Sequence, residues 1–352
     1  MRHTAWVPPK YIRRLITIPG VVLVVVLAVV LLPIWLPTAA LVDVITAPKR
    51  MRFCRIGFVV LLLAINEIST LIFLGFLWVR TGFGFRVWSD TGQERMQRSL
   101  RHYALGLVRC TKQALGVRLV VTGLDEAVAE GGPLVVFGHH TSLLDSALPV
   151  ELLASRSFSL RYVIKKTLAY GPAFDVGGHM LPIHFVDRTG KRTDGETAAI
   201  SSLASGMKDR DAVVLFPEGT FFNTRRKARA IERLKSDAPH LVARAEAMRH
   251  TLPPRAGGAL AMLEGAGDVD VLFVAHAGLE SFTSIPNIVR NIPLRDPVAI
   301  HCWRVVAREI PTNPDQRYDW LFDQFERMDR WVVEQLDTER RNGKEPTGLK
   351  VA

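Results

Sequence analysis

Leu134-Val135-Val136-Phe137-Gly138-His139-His140-Thr141-Ser142-Leu143-Leu144-Asp145 sets the frame for the whole chain. Its apolar half follows Gly131-Gly132-Pro133 and reads as a buried strand entered from a turn. Ser146 to Leu153 then reads as a helix. Two histidines and an aspartate therefore sit at a strand-to-helix corner, where sheet edges expose side chains and helix N–H groups to anions. Four residues separate His140 from Asp145. A carboxylate one turn into the helix can reach back to one imidazole nitrogen. That fixes the tautomer and leaves the other nitrogen to take a proton from an alcohol. With no obvious Ser or Cys nucleophile, the pattern points to direct attack by a bound hydroxyl. The competing reading is a capped helix start, with Thr141 or Ser142 as the cap and the histidines as polar turn residues. The motif is short, so the remaining sequence has to decide.

The chain has 352 residues, enough for one large α/β domain with additions. Apolar residues make up 48 %, concentrated towards the N-terminus, and the net charge is +11. Such a charge favours an acidic partner: anionic lipid, nucleic acid or a phosphorylated substrate. Cys54, Cys110 and Cys302 are far apart and in no metal-ligand spacing. That argues for a reducing compartment, with neither a disulfide framework nor a zinc site.

From Leu15 to Val42 no residue is charged. A helix of that length spans about 42 Å, against about 30 Å of bilayer hydrocarbon. Pro33 and Pro37 interrupt it, so it fits either one tilted span ending near Pro33 or a helical hairpin on one membrane face. It is far too long for a signal-peptide core. A basic patch (Lys49, Arg50, Arg52, Arg55) precedes a second apolar segment, 58–79, broken by Asn66, Glu67, Ser69 and Thr70. An acid at mid-depth is costly in lipid and implies a protein contact or an interfacial helix. The flanks of both segments are basic, so charge bias does not separate two spans from two segments dipping into the cytoplasmic leaflet. Both readings leave the rest of the chain cytoplasmic. Trp35, Trp78 and Trp88 lie where interfacial aromatics belong.

Residues 1–88 thus read as a membrane-anchoring region, and 89–116 as an amphipathic linker helix with Met96, Leu100, Tyr103 and Leu107 on one face. Beyond it, apolar runs at 118–122, 134–138, 160–164, 181–186, 212–216, 270–275 and 297–303 alternate with helical patterns, notably 193–208. The expected fold class is α/β: a mixed, mostly parallel sheet flanked by helices, preceded by N-terminal membrane helices. The globular domain is placed at 117–340, ending in a charged amphipathic helix, with a disordered tail at 341–352.

Further short motifs close other apolar runs. Phe216-Pro217-Glu218-Gly219-Thr220 places a carboxylate in a strand-end turn, where it can bind sugar-like hydroxyls or orient a guanidinium. Arg188, in Phe185-Val186-Asp187-Arg188, is suited to bidentate phosphate binding. Lys165 and Lys166 end another strand, and Leu252-Pro253-Pro254-Arg255-Ala256-Gly257-Gly258 opens another helix. Each alone also fits an ordinary turn or a solvated edge.

Taken in order, His-x4-Asp, Phe-Val-Asp-Arg, Phe-Pro-Glu-Gly-Thr and Pro-Arg-x-Gly-Gly resemble the glycerolipid acyltransferase family typified by 1-acylglycerol-3-phosphate acyltransferase. The resemblance covers roughly residues 117–335. It implies that His140 deprotonates the acceptor hydroxyl and Asp145 orients it. The oxygen then attacks the thioester of acyl-CoA or acyl carrier protein. Arg188, with Glu218, Gly219, Thr220 and Ser142, would hold the glycerol-phosphate head group, and Arg255 and Lys165 are further phosphate contacts. No metal and no cofactor is called for beyond the acyl-thioester co-substrate. The chain departs from the pattern at His139, where Asn is usual, at Phe221, where a basic residue is usual, and at Val274-Ala275-His276, which lacks a proline.

The expectation is a membrane-bound enzyme at the cytoplasmic face of the cell membrane. It would acylate lysophosphatidic acid, or another lysophospholipid or glycolipid. Its partners would be anionic membrane lipid, the lysophospholipid and the acyl donor. Residues 223–250, with eight Lys/Arg against three acids, suit anionic lipid or the phosphates of CoA, or form a solvated charged helix. A non-catalytic lipid-binding protein on the same fold is the rival. Nucleic-acid binding is disfavoured, since the basic residues are not interleaved with aromatics.

Overall fold

The computed structural model describes residues 8–46, 48–86, 89–165, 169–180, 183–186 and 194–341. Three N-terminal helices come first: α1 (Lys10–Val30), α2 (Leu32–Thr46) and α3 (Arg52–Arg80). The linker helix α4 (Asp90–Leu115) leads into β1 (Leu119–Thr122), α5 (Leu124–Val128) and β2 (Leu134–Gly138). There follow α6 (Leu148–Leu153), β3 (Ser159–Lys165), α7 (Pro172–Gly178), β4 (Ile183–Val186), α8 (Asp194–Ala204) and β5 (Asp211–Leu215). The chain continues through α9 (Thr224–Asp237), α10 (Val242–Ala247), α11 (Ala256–Ala266), β6 (Asp270–Ala277), α12 (Ile285–Asn291), β7 (Val298–Val305) and α13 (Pro314–Arg341).

The seven strands form one sheet in the order β1-β7-β6-β2-β5-β3-β4. All neighbours are parallel except β6 and β7, so the sheet is mixed and mostly parallel. β2 lies near its centre and is buried along its whole length. That is why its sequence is continuously apolar rather than alternating. Its side chains still alternate between faces. Val135 and Phe137 join Phe273, Trp303, Phe322 and Phe325 under α11 and α13. Leu134 and Val136 join Leu152, Phe158 and Leu272 under α6. Gly265 lets α11 lie directly on α8, since a Cβ there would stand 2.1 Å from the Ser201 carbonyl oxygen.

The first apolar segment forms two helices, the first ending at Val30, close to Pro33. α1 and α2 meet at Leu31, and both pack along α3. The hairpin is closed by Asp43, which is fully buried and accepts the Phe53 and Cys54 amides at 3.0 and 2.9 Å. It serves the N-terminus of α3, where Met51 offers no capping side chain. Lys10–Val30 and Arg52–Arg80 are each long and apolar enough to cross a membrane. Leu15, Ile16, Val30, Ile34 and Phe76 are among the large apolar side chains they and α2 leave exposed.

One face of the hairpin is fixed to the globular domain. Glu67 of α3 accepts the Tyr103 hydroxyl of α4 at 2.8 Å and the Ala173 amide of α7 at 2.6 Å. The acid at mid-segment is thus a protein contact, one of the two options its cost in lipid allowed. At the start of α1, Arg13 and Arg14 pair with the buried Asp175 of α7. In α4 the expected apolar face is turned inward, with Met96 and Tyr103 buried. Arg341, the first residue of the expected tail at 341–352, is instead the last residue of α13, because the helix runs one residue further; 342–352, like Trp88, lie outside the described residues.

Candidate active site

β2, β5 and β6 run in the same direction and end at one edge of the sheet. The Gly138–Asp145 loop leaves β2 there, the Phe216–Thr220 turn leaves β5, and β6 brings His276. Asp145 opens a 3-10 turn, Asp145–Ala147, rather than sitting inside a regular α-helix. It is fully buried, and it organises the loop that precedes it. Its Oδ2 accepts the Thr141 amide at 2.6 Å, the Ser142 amide at 2.7 Å and His140 Nδ1 at 3.0 Å. Its Oδ1 accepts the Ser142 hydroxyl, which itself accepts the Leu144 amide at 3.1 Å. The carboxylate therefore takes the capping role that the sequence left open to Thr141 or Ser142. Ser142, expected among the substrate contacts, is corrected to a support for Asp145: it is fully buried and its hydroxyl is engaged inward.

Burial pushes Asp145 upward, but the His276 and His140 imidazoles and the Ser142 hydroxyl outweigh it and hold the carboxyl below its ordinary range. An anion on Nδ1 sets the His140 tautomer with Nδ1 protonated. The His140 side chain keeps 14 % of its exposure, the only such opening in the pair. Its ring is gripped by two aromatics, Phe216 stacked at 5.0 Å and Phe221 edge-on at 4.2 Å. The His140 carbonyl accepts the Phe222 amide at 2.8 Å, which ties the β2 loop to the β5 turn.

Residues 118–271 match the model of the Acyltransferase family. The match covers 154 of the chain's 352 residues. The chain is 26 % identical over 228 residues to mouse 1-acyl-sn-glycerol-3-phosphate acyltransferase epsilon, covering 59 % of this chain and 60 % of that one. It is 30 % identical over 109 residues to the putative 1-acyl-sn-glycerol-3-phosphate acyltransferase acl-2 of Caenorhabditis elegans, covering 30 % and 36 %. The chain thus spans less than two thirds of the length of either relative. The crystal structure of the 1-acyl-sn-glycerophosphate (LPA) acyltransferase PlsC from Thermotoga maritima aligns with 78 % of this chain and 97 % of its own, at 16 % identity and a TM-score of 0.47.

More of the expected residues gather at the same edge of the sheet. Gly219 adopts φ +71°, and a Cβ there would approach the Arg255 guanidinium to 3.2 Å, so only glycine fits the turn without displacing that side chain. Arg255 precedes α11, and its amide donates to the Pro217 carbonyl at 3.1 Å. Thr220 is half-buried in the same turn. Lys165 ends β3, with its backbone paired to Val186, and its side chain is outside the described set. Arg188 and Lys166 lie outside the described residues.

Glu218 is buried, and neither carboxyl oxygen has a hydrogen-bond partner. The His140 and Leu252 amides stand near enough to favour its anion, though outside hydrogen-bond geometry. Burial dominates, and the carboxyl is held well above the usual carboxylate range. Burial thus favours the protonated form of Glu218, in which the carboxyl can donate a hydrogen bond. Its folded value exceeds its unfolded one, so its stabilising contribution is complete below about 4.5 and is lost as pH rises towards the folded value. Glu218→Gln is accordingly expected to melt with the wild type near pH 4.5 and progressively above it in more alkaline buffer. Parallel melting curves across that range would refute a raised Glu218 carboxyl.

Sequence reasoning missed three supports of the site. Of the two Phe side chains that clamp His140, the sequence marks Phe216 only as the first residue of its strand-end motif and Phe221 only as a departure where a basic residue is usual. Asp329 of α13 accepts the Arg249, His250 and Thr251 amides at 2.8, 2.7 and 2.8 Å, which fixes the loop leading to Leu252 and Arg255. No local pattern marks it, because its partners are far away in sequence. The third is His276, noted in the sequence only for the absence of a proline.

Proposed function

We propose that the chain is a membrane-bound 1-acyl-sn-glycerol-3-phosphate O-acyltransferase. It moves a fatty acyl group from acyl-CoA, or from acyl carrier protein, to the free hydroxyl of lysophosphatidic acid, and the product is phosphatidic acid. The observation that carries this reading is the His140 Nδ1 to Asp145 Oδ2 contact of 3.0 Å at the end of β2. With Nδ1 engaged, Nε2 takes the proton of the acceptor hydroxyl as its oxygen attacks the thioester carbonyl. The new C–O bond forms, the C–S bond breaks, and the proton passes from His140 to the departing thiolate. Both acylglycerol-phosphate relatives carry that activity in their names.

An apolar cavity of about 300 Å³ beside Leu143, Leu144 and Leu279 reaches α3 at Leu63, which suits the acyl chain. Arg255 and Gly219, with Arg188 and Lys165, would receive the phosphate, and Glu218, when protonated, can donate to a head-group oxygen. The α1–α3 hairpin, exposed and apolar on one side and bonded through Glu67 to the domain on the other, fits an anchor (within residues 1–88) bedded in one leaflet of the cell membrane. A cytoplasmic setting agrees with three unpaired cysteines.

The test is acyl transfer by the full chain in detergent or membranes, with labelled oleoyl-CoA and oleoyl-carrier protein offered to a panel of lysolipids. Phosphatidic acid formed from lysophosphatidic acid is the expected product. Turnover of a different lysolipid alone would move the acceptor and leave the chemistry in place. No product from either donor would overturn the reading.

A further inference from the structure

Two buried histidines at the site have no part in the mechanism so far. His139 and His276 are 0 % and 1 % exposed, and their rings meet edge to face at 4.1 Å. None of their four ring nitrogens makes a hydrogen bond. Buried polar groups left in that state are costly and uncommon, and they call for a role. His276 also faces the dyad: its Nε2 stands 3.4 Å from Oδ1 of Asp145. That is slightly longer than a good hydrogen bond, in the range from which catalytic contacts tighten when substrate closes the site.

We propose that His276 is a positioning residue for acyl transfer, holding the Oδ1 side of Asp145 while His140 holds Oδ2. This rests on the proposed function only for what the dyad is used for; the placement itself is geometric. Asp145 then has an imidazole against each carboxyl oxygen, and its plane is fixed. An N–H directed at Oδ1 draws charge away from Oδ2 and limits how tightly Asp145 retains the proton of His140. His139 supplies the opposite wall and stays neutral, since burial and the adjoining His276 drive it well below the ordinary imidazole range. The other titratable groups near this cluster are Glu280 on the loop after β6, Glu218 on the turn after β5 and His250 before α11. Glu280 accepts the Gly278 amide, and burial pushes its carboxyl up while the His276 imidazole and that amide draw it down.

The decisive experiment follows the titration of His140 in the detergent-solubilised full chain, labelled with ¹⁵N-histidine, for wild type, His276→Leu and His276→Gln. Leu fills the space without a donor; Gln places an N–H near the position of Nε2. Loss of the donor leaves Asp145 a stronger acceptor, so the His140 midpoint in His276→Leu is expected about one pH unit higher. His276→Gln should titrate as wild type does. In turnover, the acid limb of kcat/KM should move upward with the midpoint, and kcat on the plateau should fall about 10- to 100-fold in the Leu variant alone, with KM for the acyl donor unchanged.

Midpoints that coincide in all three proteins would overturn the proposal and reduce His276 to packing. If His276→Leu does not fold, Asp145→Asn decides: it must shift the ring-nitrogen resonances of both His140 and His276, and a shift in His140 alone overturns the proposal. A moved midpoint in a protein that acylates no lysolipid would uphold the positioning role and refute the acyl-transfer reading. Turnover with an unmoved midpoint would do the reverse.

Discussion

His140→Ala is expected to lower acyl transfer by about 10³-fold, within the usual worth of a general base, while the fold stays intact. The side chain makes little of the loop's structure. Its backbone carbonyl, which the substitution keeps, carries the contact to the Phe222 amide. Asp145 loses one donor of four, and the Thr141 amide, Ser142 amide and Ser142 hydroxyl remain. The packing loss is confined to ring contacts with Phe216 and Phe221 at a half-open position. Stability should therefore fall by only about 1–2 kcal/mol. Initial rates with saturating oleoyl-CoA and lysophosphatidic acid measure the first effect, and thermal melting the second. A variant within tenfold of the wild-type rate would remove His140 from the chemistry. Collapse of the fold would leave the rate loss without meaning for mechanism.

Why was this pair legible in the sequence when its supports were not? The pair is local. Strand, tight turn and carboxylate are contiguous, and the apolar run before Gly138 signals a strand buried on both faces. The Phe216–Thr220 turn and Arg255 could be read individually as strand-end and helix-start residues, and the order of the motifs suggested a shared site. What joins them physically is an amide-to-carbonyl bond, Arg255 to Pro217, together with a glycine at positive φ, and neither can be seen until the strands are in register. His276 lies at the end of an apolar run, where composition suggests only a core strand. Its meaning comes from β6 lying beside β2, which is a property of topology.

The apolar N-terminal helices show the same division between local and non-local signals. Hydropathy located them, and the cost of an acid in lipid left Glu67 as either a protein contact or a mark of an interfacial helix, without naming the partners the fold supplies. Asp43 was the harder residue. At the edge of an apolar run it looks like a boundary charge. It is buried because the chain turns back just after it and presents the unbonded amides of α3. Ser142 was misread for a related reason. A serine beside a catalytic histidine suits a substrate contact, but the short 3-10 turn at Asp145 rotates its hydroxyl inward.

Asp145→Ala should be the more damaging substitution, because it removes catalysis and loop structure together. The carboxylate is the common acceptor for two backbone amides, one hydroxyl and one imidazole in a site with no exposure. Removing it strands those donors, and each buried unsatisfied group costs about 1–3 kcal/mol. A loss of several kcal/mol is expected even if water fills part of the gap, and transfer should fall at least as far as in His140→Ala. Asp145→Asn separates the two effects. Its amide oxygen can serve the Oδ2 donors, and its NH2 can face a Ser142 hydroxyl turned to accept. It should keep the fold, less stable than wild type at neutral pH but more stable than Asp145→Ala, and still lose about 10²- to 10⁴-fold in rate, since a neutral partner does not stabilise the imidazolium formed during proton transfer. The pH dependence gives a separate check. Asp145 is held below its ordinary 3.8, so its charge stabilises the fold above that value, and this contribution is lost as pH falls through the folded value. The stability gap between wild type and Asp145→Asn should be full at neutral pH and close in strong acid. A gap that stays constant into acid would mean that Asp145 works in the fold by shape, without its charge.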